Sequence, residues 1–318
     1  MSHRRRIATG MNLRIPLATS NLVSQITTAC LLEASARKPG NVHPAACFDD
    51  CDFEDFLESA RVCGPALAAA GTDGVGQAIC SAVRETRAAT GQNTNLGMLL
   101  LLGPLAAVPS EKSLADGVRD ILDRLDTDDT RKIYEAIRAA KPGGLGQAEA
   151  HDVRRAPQVG IVEAMRLAAD RDLIALQYAN GFADVLGSAR HRFLAWWGRT
   201  ANWEQSVVGL HLDLLATFPE SLIARKCGME TAHVASEKAR DVLAAGWPDT
   251  AAGCELCAAF DGWLRADGHQ RNPGTTADLI AATLFALIRD GNWQPPSQLE
   301  LSITARKTSR INPSQDVP

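Results

Sequence analysis

Between residues 18 and 290 the apolar positions recur at spacings of three and four, and no sustained two-residue alternation interrupts them. That period marks helices that bury one face. Leu22, Ile26, Ala29 and Glu33 form the first such stripe. It predicts a helix over 17–37 that opens at the candidate caps Thr19 and Ser20 and stops at Lys38-Pro39-Gly40, where proline lacks the amide donor a helix needs. Asp52 is the natural cap of a second helix, with Glu54 and Asp55 in a first turn that favours acids. Further helices are predicted over 75–89, 94–108, 113–125, 128–140, 158–169, 172–195, 204–217, 231–245, 249–267 and 275–289. Residues 299–304, Leu-Glu-Leu-Ser-Ile-Thr, alternate as a strand does.

The stretch 96–108 is apolar on all sides, so it belongs at the centre of the fold. Interrupted by Pro104, it falls short of the roughly 20 residues that cross a bilayer. Hydrophobic residues make up 46% of the chain and aromatics only 5%, a balance that favours packed helices over strands. The expected fold is all-α, a single compact multi-helix domain with a central apolar helix. Residues 1–16 read as a disordered leader, because no apolar signal stretch follows Arg4-Arg5-Arg6. Residues 17–292 read as the helical domain that carries the chemistry, and 293–318 as an extended or mobile tail.

A net charge of −4 gives no basic field for nucleic acid. The eight cysteines lie mostly in helical segments with no secretory signal before them, which points to free thiols and a cytoplasmic protein. Cys254-x-x-Cys257 could join Cys47 and Cys51 in a zinc site, but its Ala-rich helical context favours packing. The expected partners are small molecules, without nucleic acid or membrane; a homodimer is compatible with the composition.

Candidate chemistry gathers at helix ends, where exposed amides and the helix dipole bind anions. The first such stretch is Glu33-Ala-Ser-Ala-Arg37-Lys38-Pro39-Gly40-Asn41-Val42-His43. Glu33, in line with an apolar stripe, either faces a cleft or pairs with Lys38 or Arg37 at the helix end. The second is Asp49-Asp50-Cys51-Asp52, carboxylates that suit either magnesium or helix capping. The third, Asn93-Thr94-Asn95-Leu96-Gly97, opens the apolar helix and places more polar groups there than capping alone requires. The fourth is Asn272-Pro273-Gly274-Thr275-Thr276-Ala277-Asp278, read as a capping box or as a phosphate nest. Lys141-Pro142-Gly143-Gly144 adds a further amide-rich loop. None is a Walker A loop, since no Gly-Lys-Ser/Thr follows the glycines.

Together with Arg225-Lys226-Cys227-Gly228, and in this order, these stretches resemble the triphosphoribosyl-dephospho-coenzyme-A synthase family, whose members help make the prosthetic group of citrate and malonate lyases. The resemblance implies an all-α enzyme that joins C1′ of the ATP ribose to the 2′-hydroxyl of 3′-dephospho-CoA and releases adenine. On that basis Glu33 or Asp278 would act as base or cation stabiliser. Asp49, Asp50 or Asp52 would hold Mg²⁺, and Lys38, Arg225 and Lys226 would neutralise the triphosphate. Gly40, Asn41, Asn93, Thr94, Asn95, Gly97, Gly143, Gly144, Gly274, Thr275 and Thr276 would complete the nucleotide site. The lyase-associated enzymes usually read Asn-Thr-His-Lys-Gly where this chain has Asn-Thr-Asn-Leu-Gly. The chain thus also resembles a shorter branch found with methanopterin-linked one-carbon metabolism, which leaves a different acceptor, or nucleotide binding without catalysis, as alternatives.

Overall fold

The computed structural model describes residues 10–142, 153 and 155–304. Among the described residues fifteen α-helices follow one another: α1 Leu22–Ser35, α2 Phe53–Ala68, α3 Ala70–Asp73, α4 Val75–Thr90, α5 Leu96–Ala106, α6 Leu114–Arg124, α7 Thr127–Ala140, α8 Ile161–Arg166, α9 Leu173–Asn180, α10 Arg190–Thr200, α11 Trp203–Thr217, α12 Ser221–Cys227, α13 Met229–Ala244, α14 Ala251–Arg265 and α15 Gly274–Arg289. The all-α expectation is met, and the apolar helix is central. Leu99, Leu101, Leu102 and Leu105 of α5 are wholly buried, packed against α4 and α15. α15 is buried along most of its length and lies between α5, α1 and α11. No single helix among the described residues is long and apolar enough to cross a membrane.

The chain departs from the expected boundaries where local signals compete. Asn21, rather than Thr19 or Ser20, caps α1, in a reciprocal box with Ser24. The stretch 172–195 does not form one helix. α9 ends at Gly181 in the left-handed region, φ 70°, and a π-helical segment, Asp184–Ala189, leads into α10. Two short helices, α3 and α12, were not expected.

Residues 11–16, assigned above to a disordered leader, form a strand instead. β1 (Met11–Pro16) pairs antiparallel with β2 (Gln298–Ile303), from Met11 opposite Ile303 to Pro16 opposite Gln298. β2 presents Leu299, Leu301 and Ile303 to the core and Gln298, Glu300 and Ser302 to solvent, the alternation its sequence carries. The ribbon fastens both ends of the helical domain to one another.

Candidate active site

At the end of α1 the chain turns through Lys38-Pro39-Gly40-Asn41, and four residues distant in sequence hold that turn. The Gly40 amide donates to Asp261 Oδ1 of α14 at 2.7 Å, and Arg265 of α14 donates to the Asn41 carbonyl. The Asn41 side chain donates to Asn272 Oδ1 at 2.8 Å. From α11, His211 Nε2 meets the Pro39 carbonyl at 3.1 Å. Gly40 has φ +78°, and a Cβ there would come within 2.9 Å of Leu264 and Pro273 side chains. Only glycine fits both the conformation and the space.

Burial drives the His211 imidazole down to about 3, as it does His43. Each ring therefore folds neutral, and each takes up a proton near its ordinary value once unfolded. The unfolded state binds more protons between those limits, so this contribution to stability falls as pH drops below about 6.5. Replacing His211 with Gln, which keeps a donor for Pro39, removes one such term. The stability gap between wild type and His211→Gln is expected to narrow by about 2 kcal/mol from pH 7 to pH 5, measured by urea unfolding at the two pH values.

The turn opens on a cavity of about 1490 Å³. Glu33, Asn41, Asn93, Thr94, Asn95, Gly97, Arg225, Lys226, Gly274, Thr275 and Asp278 all line it. Glu33 sits on the last turn of α1, its carboxylate 3.0 Å from the Lys38 ammonium, both side chains buried. Burial lifts the Glu33 carboxyl above its ordinary range, and Lys38 pulls it back. Asp278, on the second turn of α15, accepts the Met98 amide at the start of α5. Its carboxyl is raised well above the usual range, first by burial and then by Glu33 and Glu220.

Gly97 makes that contact possible. A Cβ there would lie 1.9 Å from Asp278 Oδ2, so any side chain displaces the carboxylate. Gly97→Ala is expected to displace Asp278 and, with the catalytic role proposed for Asp278 below, to cost on the order of 10²-fold in turnover, the usual consequence of a shift of about 1 Å, with the protein still folded. Steady-state rates alongside circular dichroism would check this.

A family model described as ATP:dephospho-CoA triphosphoribosyl transferase (CitG) matches residues 19–296. The chain belongs to this family. It is a transferase of the triphosphoribosyl-dephospho-CoA synthase kind. The fold is similar to a crystal structure from Archaeoglobus fulgidus, a protein provisionally named triphosphoribosyl-dephospho-CoA synthase, with 25% identity and a TM-score of 0.58 over 74% of this chain and 99% of that one. No curated protein matches the chain.

The other residues expected to serve a CitG nucleotide site are placed differently from one another. Lys38 does not reach the cavity. Its ammonium is fully buried, donating to the Glu33 carbonyl and to the Ala36 carbonyl at 3.3 Å, so it caps α1 and pairs with Glu33 instead of meeting phosphate. The supposed nest at Gly274, Thr275 and Thr276 is already filled. Glu220 Oε1 takes the Thr275 amide at 2.7 Å and the Thr276 amide at 3.3 Å, and Thr276 lies off the cavity wall. At α5, Asn93 Oδ1 caps Leu96 at 3.1 Å, Thr94 meets Ser59 at 2.5 Å, and Asn95 donates to Thr86 at 3.5 Å. Gly143 and Gly144 lie outside the described residues, while Lys141 and Pro142 line the cavity.

The acidic cluster does not converge. Asp52 Oδ1 caps α2 through the Asp55 amide at 3.3 Å, Asp49 is exposed and off the wall, and Asp50 lines the cavity 3.3 Å from His269 Nδ1. Among the described residues no group of three or more His, Cys, Asp or Glu could hold a metal ion. That covers the Cys47, Cys51, Cys254 and Cys257 set, and all eight cysteines are free thiols.

Arg171, Asp172, Glu220 and His269 escaped the sequence reading. Asp172 Oδ1 caps α9 at 2.9 Å from the Ile174 amide, while its Oδ2 holds Arg225 at 3.2 Å. Lys226 donates to the His269 carbonyl at 3.1 Å. Arg225 and Lys226 thus face the cavity from fixed positions, Lys226 with its ammonium pulled below the ordinary lysine range, mainly by burial.

Proposed function

We propose that this cavity moves the triphosphoribosyl unit of ATP from adenine to the 2′-hydroxyl of 3′-dephospho-CoA or a close analogue. The observation that carries the reading is that Glu33, Asn93, Arg225 and Asp278, far apart in sequence, line one cavity. In the reaction the C1′–N9 bond breaks through an oxocarbenium-like centre, as in glycoside cleavage, and a C1′–O bond to the acceptor forms. Adenine needs a proton as it leaves, and the hydroxyl must lose one.

Asp278, whose protonated form is favoured by burial and by the neighbouring carboxylates, is suited to give the first. Glu33, whose charged form the adjacent Lys38 favours against the upward pull of burial, is suited to take the second and to stabilise positive charge at C1′. Arg225, Lys226 and Arg171 on the wall supply the charge that a triphosphate requires. Tyr134 and Ile137 of α7, Ile161 and Met165 of α8, and Ile174 of α9 add an apolar stretch of lining that fits the uncharged arm of the acceptor. The volume exceeds the upper end of a typical single-ligand pocket, roughly 1,000 Å³, as two bound substrates require.

The residues do not fit a resident magnesium site, because only Asp50 of the three expected carboxylates faces the cavity. A magnesium ion would enter on the triphosphate, which commonly supplies most of its ligands. Free thiols support a reducing, cytoplasmic setting.

Incubation with base-labelled ATP and a panel of hydroxyl acceptors tests the function. Free adenine formed in step with a ribosylated acceptor supports it. Accumulation of ADP or pyrophosphate, with the base still on its ribose, points to another reaction, and nucleotide-dependent thermal stabilisation without product to a binding protein.

A further inference from the structure

Glu220 lies just before α12 and is wholly buried. Its single carboxylate serves two helices. Oε2 accepts the Ile223 amide at 2.6 Å, closing the start of α12, and Oε1 accepts Thr275 at 2.7 Å and Thr276 at 3.3 Å, closing the start of α15. Each helix start carries unpaired amides and the positive end of a dipole, so one anion compensates both. α12 bears Arg225 and Lys226 in its last turn, and α15 bears Asp278 in its second.

We infer that Glu220 is a positioning residue that, by closing the starts of α12 and α15 with one carboxylate, sets the cavity-facing cations of α12 at a fixed distance from Asp278. This rests on the reading of the cavity given above. The charged and titratable groups acting on Asp278 are Glu33 of α1 with its partner Lys38, Cys30 of α1, Asp172 before α9 and Glu220 itself, together with the Met98 amide of α5. Glu220 and Glu33 both disfavour ionised Asp278. Burial pushes Glu220 up to about 6, and the three amides oppose that shift, so the group is anionic at neutral pH. A side chain that merely capped helices would affect stability without touching the titration of Asp278.

The test uses the full chain carrying Glu220→Gln, which keeps the shape and one acceptor oxygen but removes the charge, and Glu220→Asp, which keeps the charge and shortens the reach. In Glu220→Gln the loss of activity at high pH, which reports Asp278 giving up its proton, is expected to move to lower pH. KM for ATP should rise and kcat fall, each by about tenfold, the effect of losing one well-placed electrostatic contact. In Glu220→Asp the alkaline limb should stay in place while kcat/KM falls. ATP affinity by calorimetry and hydrogen exchange over 221–227 and 274–279 give readouts that do not depend on turnover. Glu220→Gln should weaken ATP about tenfold and loosen both segments together.

Wild-type protein that releases no adenine sinks the catalytic reading, and the calorimetric and exchange results then still decide the role of Glu220 in placing the cations. A Glu220→Gln protein with wild-type ATP affinity overturns the inference, as does an unmoved alkaline limb in an active enzyme.

Discussion

Asp278→Asn is expected to slow adenine release by roughly 10²–10⁴-fold, the loss typical of removing a proton donor from the transition state. The protein should at the same time become no less stable, and more stable above neutral pH. Asp278 is buried beside Glu33 and Glu220, so the fold disfavours its ionised form. Asn keeps an acceptor for the Met98 amide and sheds the carboxylate that must otherwise hold a proton. The sign follows from linkage: a carboxyl raised by folding binds more protons folded than unfolded, so its contribution to stability declines as pH rises from the ordinary aspartate range through the folded value. The amide removes that decline. Rates from labelled ATP and unfolding curves at pH 6 and pH 8 would measure both effects. Lost activity with retained or increased stability is the pattern of a strained functional group, whereas a structural carboxylate would lose both.

Lys38→Met is expected to destabilise the protein by about 3–5 kcal/mol, the cost of leaving one member of a buried ion pair without its partner. The Lys38 ammonium is fully buried and meets the Glu33 carboxylate at 3.0 Å. It also serves the Glu33 and Ala36 carbonyls at the end of α1. With the cation gone, Glu33 would take up a proton and lose the charge proposed to stabilise C1′, so activity should fall with stability. The double variant Lys38→Met with Glu33→Gln separates the two consequences. It should recover much of the stability, since no unpaired charge remains, and none of the activity. Urea unfolding at pH 7 and adenine release on the same preparations would show this.

Lys38 also marks a boundary of what local sequence conveys. Its position after a carboxylate and before Pro-Gly reads equally well as a phosphate cation or as a helix-end partner, and only the path of the chain decides that its long side chain folds back on α1. The helices themselves were legible, because an apolar stripe repeats every turn and an end such as that of α2 carries a recognisable cap in Asp52. The break near Gly181 was hidden by apolar residues on either side that kept the helical period. β1 was hidden for another reason. Leu13 and Ile15 alternate over too few residues to stand out beside the arginines that precede them, and their partner lies at the far end of the chain.

The site was legible in its parts and less so in its assignments. Gly, Asn and carboxylate residues at helix starts mark anion-binding ends, and most of them do reach one cavity. Which anion each end takes is settled by residues distant in sequence. The start of α15 looked like a phosphate nest because Gly274, Thr275 and Thr276 present amides, yet Glu220 occupies it from within. Nothing around Pro219-Glu220-Ser221 signals that role beyond an acid preceding a short helix. Asp172 is similar: as a helix cap it looks ordinary, and its second oxygen holds Arg225.

A crystal structure of the Asp278→Asn protein with ATP bound addresses most directly whether the distant segments build one reaction centre. The ribose C1′ should lie between residue 278 and Glu33, with the triphosphate against Arg225 and Lys226 and the base within hydrogen-bond reach of position 278. ATP bound outside this cavity would contradict the account, as would ATP bound within it with its ribose remote from both acidic positions.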